Sequence, residues 1–295
     1  MKRRTFITAM GVAAGSAVAG TQAEAATVGP DRQYGVLVDL TKCIGCKGCE
    51  QACAEANGLP PPDGSLVGSD IPARPRRTTS ETQRTVVNRL ETKGGDVFVK
   101  SQCMHCVEPA CAAACLTRAL YKTPEGPVVW RENKCMGCRF CMISCPFDAP
   151  KFEYYSANPK IEKCQMCFSR LAEGGKPACV ENCGGDALTF GRRGELLEIA
   201  RQRIYQNPGQ YVSHIYGEHE AGGTSWLYIS GTPFEELGFR TDLGTTSYPE
   251  RTRDFLTAVP VVLTTFPAAL LALRRATAPE TEDGAKAPAS DGKES

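Results

Sequence analysis

Sixteen cysteines arranged as four groups of four constrain this 295-residue chain more than any other feature. Cys43, Cys46, Cys49 and Cys53 follow the spacing C-x2-C-x2-C-x3-C, and Cys135, Cys138, Cys141 and Cys145 repeat it, with Pro146 next. Cys103, Cys106, Cys111 and Cys115 read C-x2-C-x4-C-x3-C; Cys164, Cys167, Cys179 and Cys183 widen the middle gap to eleven residues. No cysteine is left over. A disulfide framework is the device of short secreted domains, and a chain of this length buries a core without staples. Structural zinc takes two separated C-x2-C pairs and has no use for a third and fourth cysteine at these spacings. A catalytic thiol needs one cysteine set apart by a base or a lowered pKa, and regular spacing sets none apart.

The spacing is instead that of [4Fe-4S] ligation. A cube with four iron corners needs four thiolates, and three cysteines two residues apart let one tight loop wrap three corners. The fourth comes from elsewhere, and in two-cluster proteins the cysteine after the x3 gap crosses to the other cluster. Gly45, Gly48 and Gly137 lie inside the loops, where backbone approaches the cluster closely. Ala54, Leu116 and Gly184 stand where a proline often follows the last cysteine. The cofactor expectation is four [4Fe-4S] clusters.

Lys2, Arg3 and Arg4 precede an apolar small-residue run and then Ala23-Glu24-Ala25, the form of a cleavage site. Paired arginines there mark a twin-arginine export signal over 1–25, with an ordinary secretory signal as the alternative. Export after folding protects thiols that an oxidising compartment would otherwise join. Loss of Lys2, Arg3, Arg4 and Glu24 takes the formal charge from +1 to −1, so nucleic acid is not an expected partner.

Residues 255–273 are uncharged over about the ~20 residues a membrane span needs. Pro260 and Pro267 argue against an ordinary soluble helix and are tolerated in membrane helices, though a buried core helix is the competing reading. The Ala-, Pro- and charge-rich 274–295 reads as a disordered tail, cytoplasmic if the body is exported. Between the ends, 34–40 alternates like a strand. The stretches 119–121 and 128–130 read as a hairpin, 85–90 and 226–229 as strands, and 195–206 as an amphipathic helix. Short helices are expected near Lys47, Pro109, Arg139 and Pro177. The basic cluster Arg74, Arg76 and Arg77 reads as a solvated loop, with a docking patch as the alternative; His105 reads as a loop residue.

From residue 34 to about 273 the chain resembles the four-cluster iron-sulfur (beta) subunits of membrane-bound respiratory oxidoreductases. The likeness rests on 43–53, Gln102-Cys-Met-His-Cys106, Cys135-Met-Gly-Cys-Arg-Phe-Cys141, Ile143-Ser-Cys-Pro146 and 215–224. The export signal with one C-terminal span is most similar to the iron-sulfur protein of hydrogenase-2 operons, and formate dehydrogenase beta subunits come next. The resemblance implies an α+β fold of duplicated bacterial-ferredoxin-like domains, each with two [4Fe-4S] clusters, loop-rich and followed by a C-terminal transmembrane helix. It implies a core over 30–194, a helix and strand segment over 195–254 packing on core and partners, and the span over 255–273.

It also implies crossed ligand sets: Cys43, Cys46, Cys49 and Cys183; Cys164, Cys167, Cys179 and Cys53; Cys103, Cys106, Cys111 and Cys145; Cys135, Cys138, Cys141 and Cys115. The expected role is non-catalytic. Single electrons would pass between a catalytic subunit, a nickel-iron hydrogenase first and a molybdopterin enzyme such as formate dehydrogenase second, and a quinone-reactive membrane subunit. The place would be the periplasmic face of a bacterial inner membrane. A self-contained iron-sulfur redox enzyme is the other class; the chain has neither a G-x-G-x-x-G nucleotide loop nor a C-x3-C-x2-C triplet.

Overall fold

The computed structural model describes residues 29–62 and 66–277. The export-signal reading of 1–25 and the tail beyond Thr277 fall outside them. In chain order the elements are β1 (Tyr34–Asp39), α1 (Gly48–Asn57), β2 (Thr85–Thr92), β3 (Gly95–Gln102), α2 (Ala110–Ala113), β4 (Leu120–Lys122) and β5 (Val128–Trp130). They continue with α3 (Phe140–Ser144), β6 (Lys151–Phe152), β7 (Ile161–Glu162), α4 (Phe168–Ala172), α5 (Ala178–Glu181), β8 (Leu188–Arg192), α6 (Arg193–Gln206), β9 (Trp226–Ile229) and α7 (Tyr248–Thr277).

A three-stranded sheet in the order β8-β1-β9 organises the body. β1 runs antiparallel to β8 and parallel to β9, with Val36 opposite both Phe190 and Trp226. A central strand is covered on both faces, which is why Val36, Leu37 and Val38 are all buried although they alternate in direction. Leu37, Leu227 and Ile229 pack under Leu196, Leu197 and Ala200 of α6. Val36, Val38, Trp226 and Tyr228 face the other way, into a core that includes Met104, Met166, Cys179, Tyr216 and Phe234. One face of the sheet therefore carries a helix and the other carries the cysteine loops.

The long hairpin β2–β3 pairs from Thr85↔Gln102 to Thr92↔Gly95, closing on Lys93 and Gly94. The smaller hairpins β4–β5 and β6–β7 stand beside the second, third and fourth cysteine groups. α1 ends on Gly58 at φ 62°, whose N–H caps the Ala54 and Glu55 carbonyls. Its Glu50 is buried, accepts from the Val87 N–H at 2.6 Å and pairs with Arg77, whose backbone N–H also donates to Asn88 Oδ1. Arg76 donates to the Leu237 carbonyl at 3.4 Å. Arg77 is thus tied to the body by a buried acceptor, while Arg74 and Arg76 stay exposed as the solvated-loop reading expects.

From Glu250 onward α7 belongs to a separate unit. It runs 30 residues, holds Pro260 and Pro267 inside the helix, and exposes its apolar side chains, with Phe255, Leu263 and Phe266 each more than half accessible. Its length, and a mean hydropathy of 2.0 over its most apolar 18 residues, suffice to cross a membrane. Thr264 and Thr265 return their hydroxyls to the carbonyls of Pro260 and Val261.

Candidate metal centres

Each cysteine loop turns on residues in the left-handed region. Gly45 (φ 69°) and Lys47 (φ 55°) lead into α1; Gly137 (φ 70°) and Arg139 (φ 59°) lead into α3 in the same way. In the other two loops His105 (φ 49°) holds the position before Cys106 and Met166 (φ 54°) the position before Cys167, and Pro109 and Pro177 open α2 and α5. Such turns aim successive backbone N–H groups inward, a concave arrangement suited to an anion. After three of the four groups the chain makes one further identical turn. The N–H of Arg118, Asp148 and Asp186 bonds the carbonyl of Cys115, Cys145 and Cys183, and each of the three turn residues has φ near 50°.

These loops bring the thiols together in quartets. Cys43, Cys46, Cys49 and Cys183 line one cavity, Cys53, Cys164, Cys167 and Cys179 a second, and Cys115, Cys135, Cys138 and Cys141 another. Cys103, Cys106, Cys111 and Cys145 form the remaining group, with Cys106 acted on by the charges of the other three. Every quartet takes three thiols from one sequence group and one from a different group. Neighbouring quartets lie close enough for their charges to interact: Cys49 with Cys179, Cys164 with Cys103, and Cys111 with Cys141. Cys46 and Cys138 are exposed, and the two inner quartets hold no exposed cysteine. Around the exposed pair lie Ile44 on one side and Met136 and Phe140 on the other, all more than half accessible.

Burial dominates the electrostatics. It pushes the Cys49 thiol up to about 12 and those of Cys53, Cys141 and Cys145 up to about 11. Metal ligation requires thiolates, so loading these sites displaces protons and supplies the positive charge that burial withholds. Three lysines reach into the same region. Burial alone would pull the Lys100 ammonium down, but the thiolates of Cys179 and Cys49 outweigh it and its pKa rises. Lys122 donates to the Cys106 carbonyl at 2.8 Å, and burial draws its pKa down to about 7. Lys163 donates to the Cys164 carbonyl at 2.9 Å.

The donor set fits iron-sulfur clusters rather than single ions. Among the described residues no three His, Cys, Asp or Glu side chains converge on one point, as tetrahedral zinc demands. The thiols instead stand around cavities. Backbone N–H groups of Leu120, Ala149 and Met166 approach Sγ of Cys115, Cys145 and Cys164 at 3.3–3.5 Å. The Nε1 atoms of Trp130 and Trp226 are buried without a protein partner. Each ring lines a thiol cavity, Trp130 the one with Cys138 and Trp226 the one with Cys164. A cluster's sulfurs would accept from donors so placed.

Several residues outside the cysteines shape the site in ways that the spacing does not show. His105 lies in a loop, as expected, but is fully buried there and accepts the Val128 N–H on Nδ1 at 2.8 Å. Residues 215–224 brace the second loop: the Val107 N–H bonds the Gly223 carbonyl, Cys106 bridges Thr224, and Arg193 Nε holds the Thr224 carbonyl at 2.8 Å. Lys100 was hidden on a strand that the sequence pattern did not reveal.

The loops, quartets and sheet define a protein of ferredoxin type built for [4Fe-4S] clusters, and residues 96–193 match the 4Fe-4S dicluster domain family. Over 276 residues the chain is 50% identical to a protein of Nitratidesulfovibrio vulgaris, covering 90% of this chain and 74% of that one. It is 34% identical to hydrogenase-2 operon protein HybA of Escherichia coli O157:H7, covering 80% of this chain and 83% of HybA. It is also 34% identical to the nitrate-inducible formate dehydrogenase iron-sulfur subunit of Escherichia coli K12, over 65% of this chain and 66% of that subunit. The chain belongs to the family of iron-sulfur electron-transfer subunits that includes HybA and the formate dehydrogenase iron-sulfur subunits.

Proposed function

We propose that the chain relays single electrons through four [4Fe-4S] clusters between a catalytic subunit and a membrane subunit that exchanges electrons with quinone. The observation that carries this reading is the gathering of the thiols into quartets whose charges interact in series, exposed at Cys46 and Cys138 and without an exposed cysteine between. A [4Fe-4S] cluster takes up and gives back one electron. The protein's part is to hold it, exclude water from the inner stations and offer two apolar rims for docking. In this reading Cys43, Cys46, Cys49 and Cys183 hold the first cluster and Cys53, Cys164, Cys167 and Cys179 the second. Cys103, Cys106, Cys111 and Cys145 hold the third, and Cys115, Cys135, Cys138 and Cys141 the fourth.

Matching left-handed turns in the first and third loops, and in the second and fourth, support a duplicated two-cluster unit within 30–194. The length and hydropathy of α7 support a membrane anchor over 255–273, and the arginine pair before an apolar run supports export to the periplasmic face. Extended similarity to HybA favours a hydrogenase partner; the shorter similarity to formate dehydrogenase subunits makes a molybdopterin partner the second reading.

Purification of the native complex in detergent tests the partner. A copurifying nickel-iron subunit is the expected result, and a molybdopterin subunit would replace it by the second reading. The ligand sets are tested by Cys183→Ser, which should alter the paramagnetic resonance of the cluster assigned to Cys43, Cys46 and Cys49. A change restricted to the cluster of Cys164 and Cys167 would overturn the crossed arrangement.

A further inference from the structure

Lys100 lies on β3 and is buried, with 3% of its surface exposed. Its ammonium donates to Thr85 Oγ1 and to Gln102 Oε1, the latter at 2.9 Å, and sits 4.8 Å from the centre of the Trp226 ring. These partners are neutral, and among the described residues no carboxylate pairs with it. A buried charge without an opposite charge is costly. The candidate opposite charges are thiolates, because Lys100 lines both the cavity of Cys43, Cys46, Cys49 and Cys183 and that of Cys53, Cys164, Cys167 and Cys179. The side chain is also held rigidly. Gln102 Nε2 donates to the Tyr228 hydroxyl at 2.6 Å, and that hydroxyl donates to the Lys100 carbonyl at 3.1 Å.

We infer that the Lys100 ammonium is a fixed positive charge shared by the first two quartets, raising the reduction potentials of both their clusters together. The inference rests on the cluster assignment proposed above. A reduced cluster carries one more negative charge than an oxidised one, so a cation held beside it in a low-dielectric setting favours reduction. Placed between two clusters, one cation acts on both. Lys122 and Lys163 differ in that each bonds a cysteine carbonyl, whereas Lys100 bonds no cysteine carbonyl and bridges two cavities. Lys100 is accordingly a positioning residue for charge, not a ligand.

The test is a redox titration of the native complex carrying Lys100→Met, Lys100→Gln or Lys100→Arg, followed by paramagnetic resonance, with iron and acid-labile sulfide measured first. In the two neutral variants, two of four potentials should fall together by about a tenfold change in the oxidised-to-reduced ratio, ~59 mV for a one-electron couple. The other two should stay in place, and Lys100→Arg should keep most of the wild-type values. Four unchanged potentials, a shift confined to one cluster, or an equal shift in Lys100→Arg would overturn the inference. So would neutral variants that lose a cluster outright, since Lys100 would then serve assembly. Wild-type protein without four cluster signals would instead defeat the cluster assignment itself, a distinct result.

Discussion

Gly45 sits in the first cysteine loop at φ 69°, and a Cβ there would fall 2.5 Å from the Phe98 ring. Two separate costs meet at one position: steric overlap, and about 1–2 kcal/mol for a non-glycine residue in the left-handed region. Gly45→Ala should therefore weaken the first centre selectively, read as loss of iron and of one resonance signal from the native complex. Adding Phe98→Leu should recover part of the loss by removing the overlap and leaving the backbone term. Full recovery would show that the left-handed conformation matters little. At this scale the sixteen candidate ligands were plain in the sequence, because spacing is a one-dimensional property. Lys100, Trp130 and Trp226 were not, because only the folded chain carries them to the thiols. Lysine and tryptophan have ordinary surface or core uses elsewhere, and no spacing rule marks the exceptions.

Among the elements, α1 is tied to β2 through Glu50, which receives the Val87 N–H and the Arg77 guanidinium. The two ends of this clamp are unequal. The Glu50 side chain is 1% exposed and that of Arg77 32%. Removing the buried end by Glu50→Ala orphans the Val87 N–H, at about 1–3 kcal/mol, and releases an arginine that water still reaches. Arg77→Ala strands a buried carboxylate and should cost more, about 3–5 kcal/mol. Denaturant titration of the purified complex, followed by bleaching of cluster absorbance, would read both; the opposite order would mean that Glu50 is not buried in its charged form. The strands β1 and β9, the hairpin β4–β5 and helix α6 were legible in alternation and period. β3 was not, because its buried positions include Lys100 and Gln102, which break the expected alternation of apolar with polar. β8 escaped because its pairing with β1 spans most of the body in sequence, and such pairing leaves no local mark.

For the whole molecule, the helices next to the thiols are too short to stand alone. α2, α3, α4 and α5 have four or five residues each, below the length at which helix formation repays its nucleation cost. In the proposed arrangement the clusters held by the thiol quartets would take the place of a larger apolar core there, as in other folds where metal binding supplies folding free energy. Stripping iron with a chelator should abolish the cooperative thermal transition of this region while leaving helical circular dichroism from α6 and α7. A sharp transition at unchanged temperature in the iron-free protein would contradict this. The cavity shared by Cys43, Cys46, Cys49 and Cys183 sets one more condition, on time rather than on space. The first three of these thiols leave the ribosome early, and the fourth cannot join them until synthesis has passed residue 183. If these four hold one cluster as proposed, the whole cysteine-bearing stretch must be made before its first centre can close, and cofactor insertion at that site would come late in the life of the nascent chain.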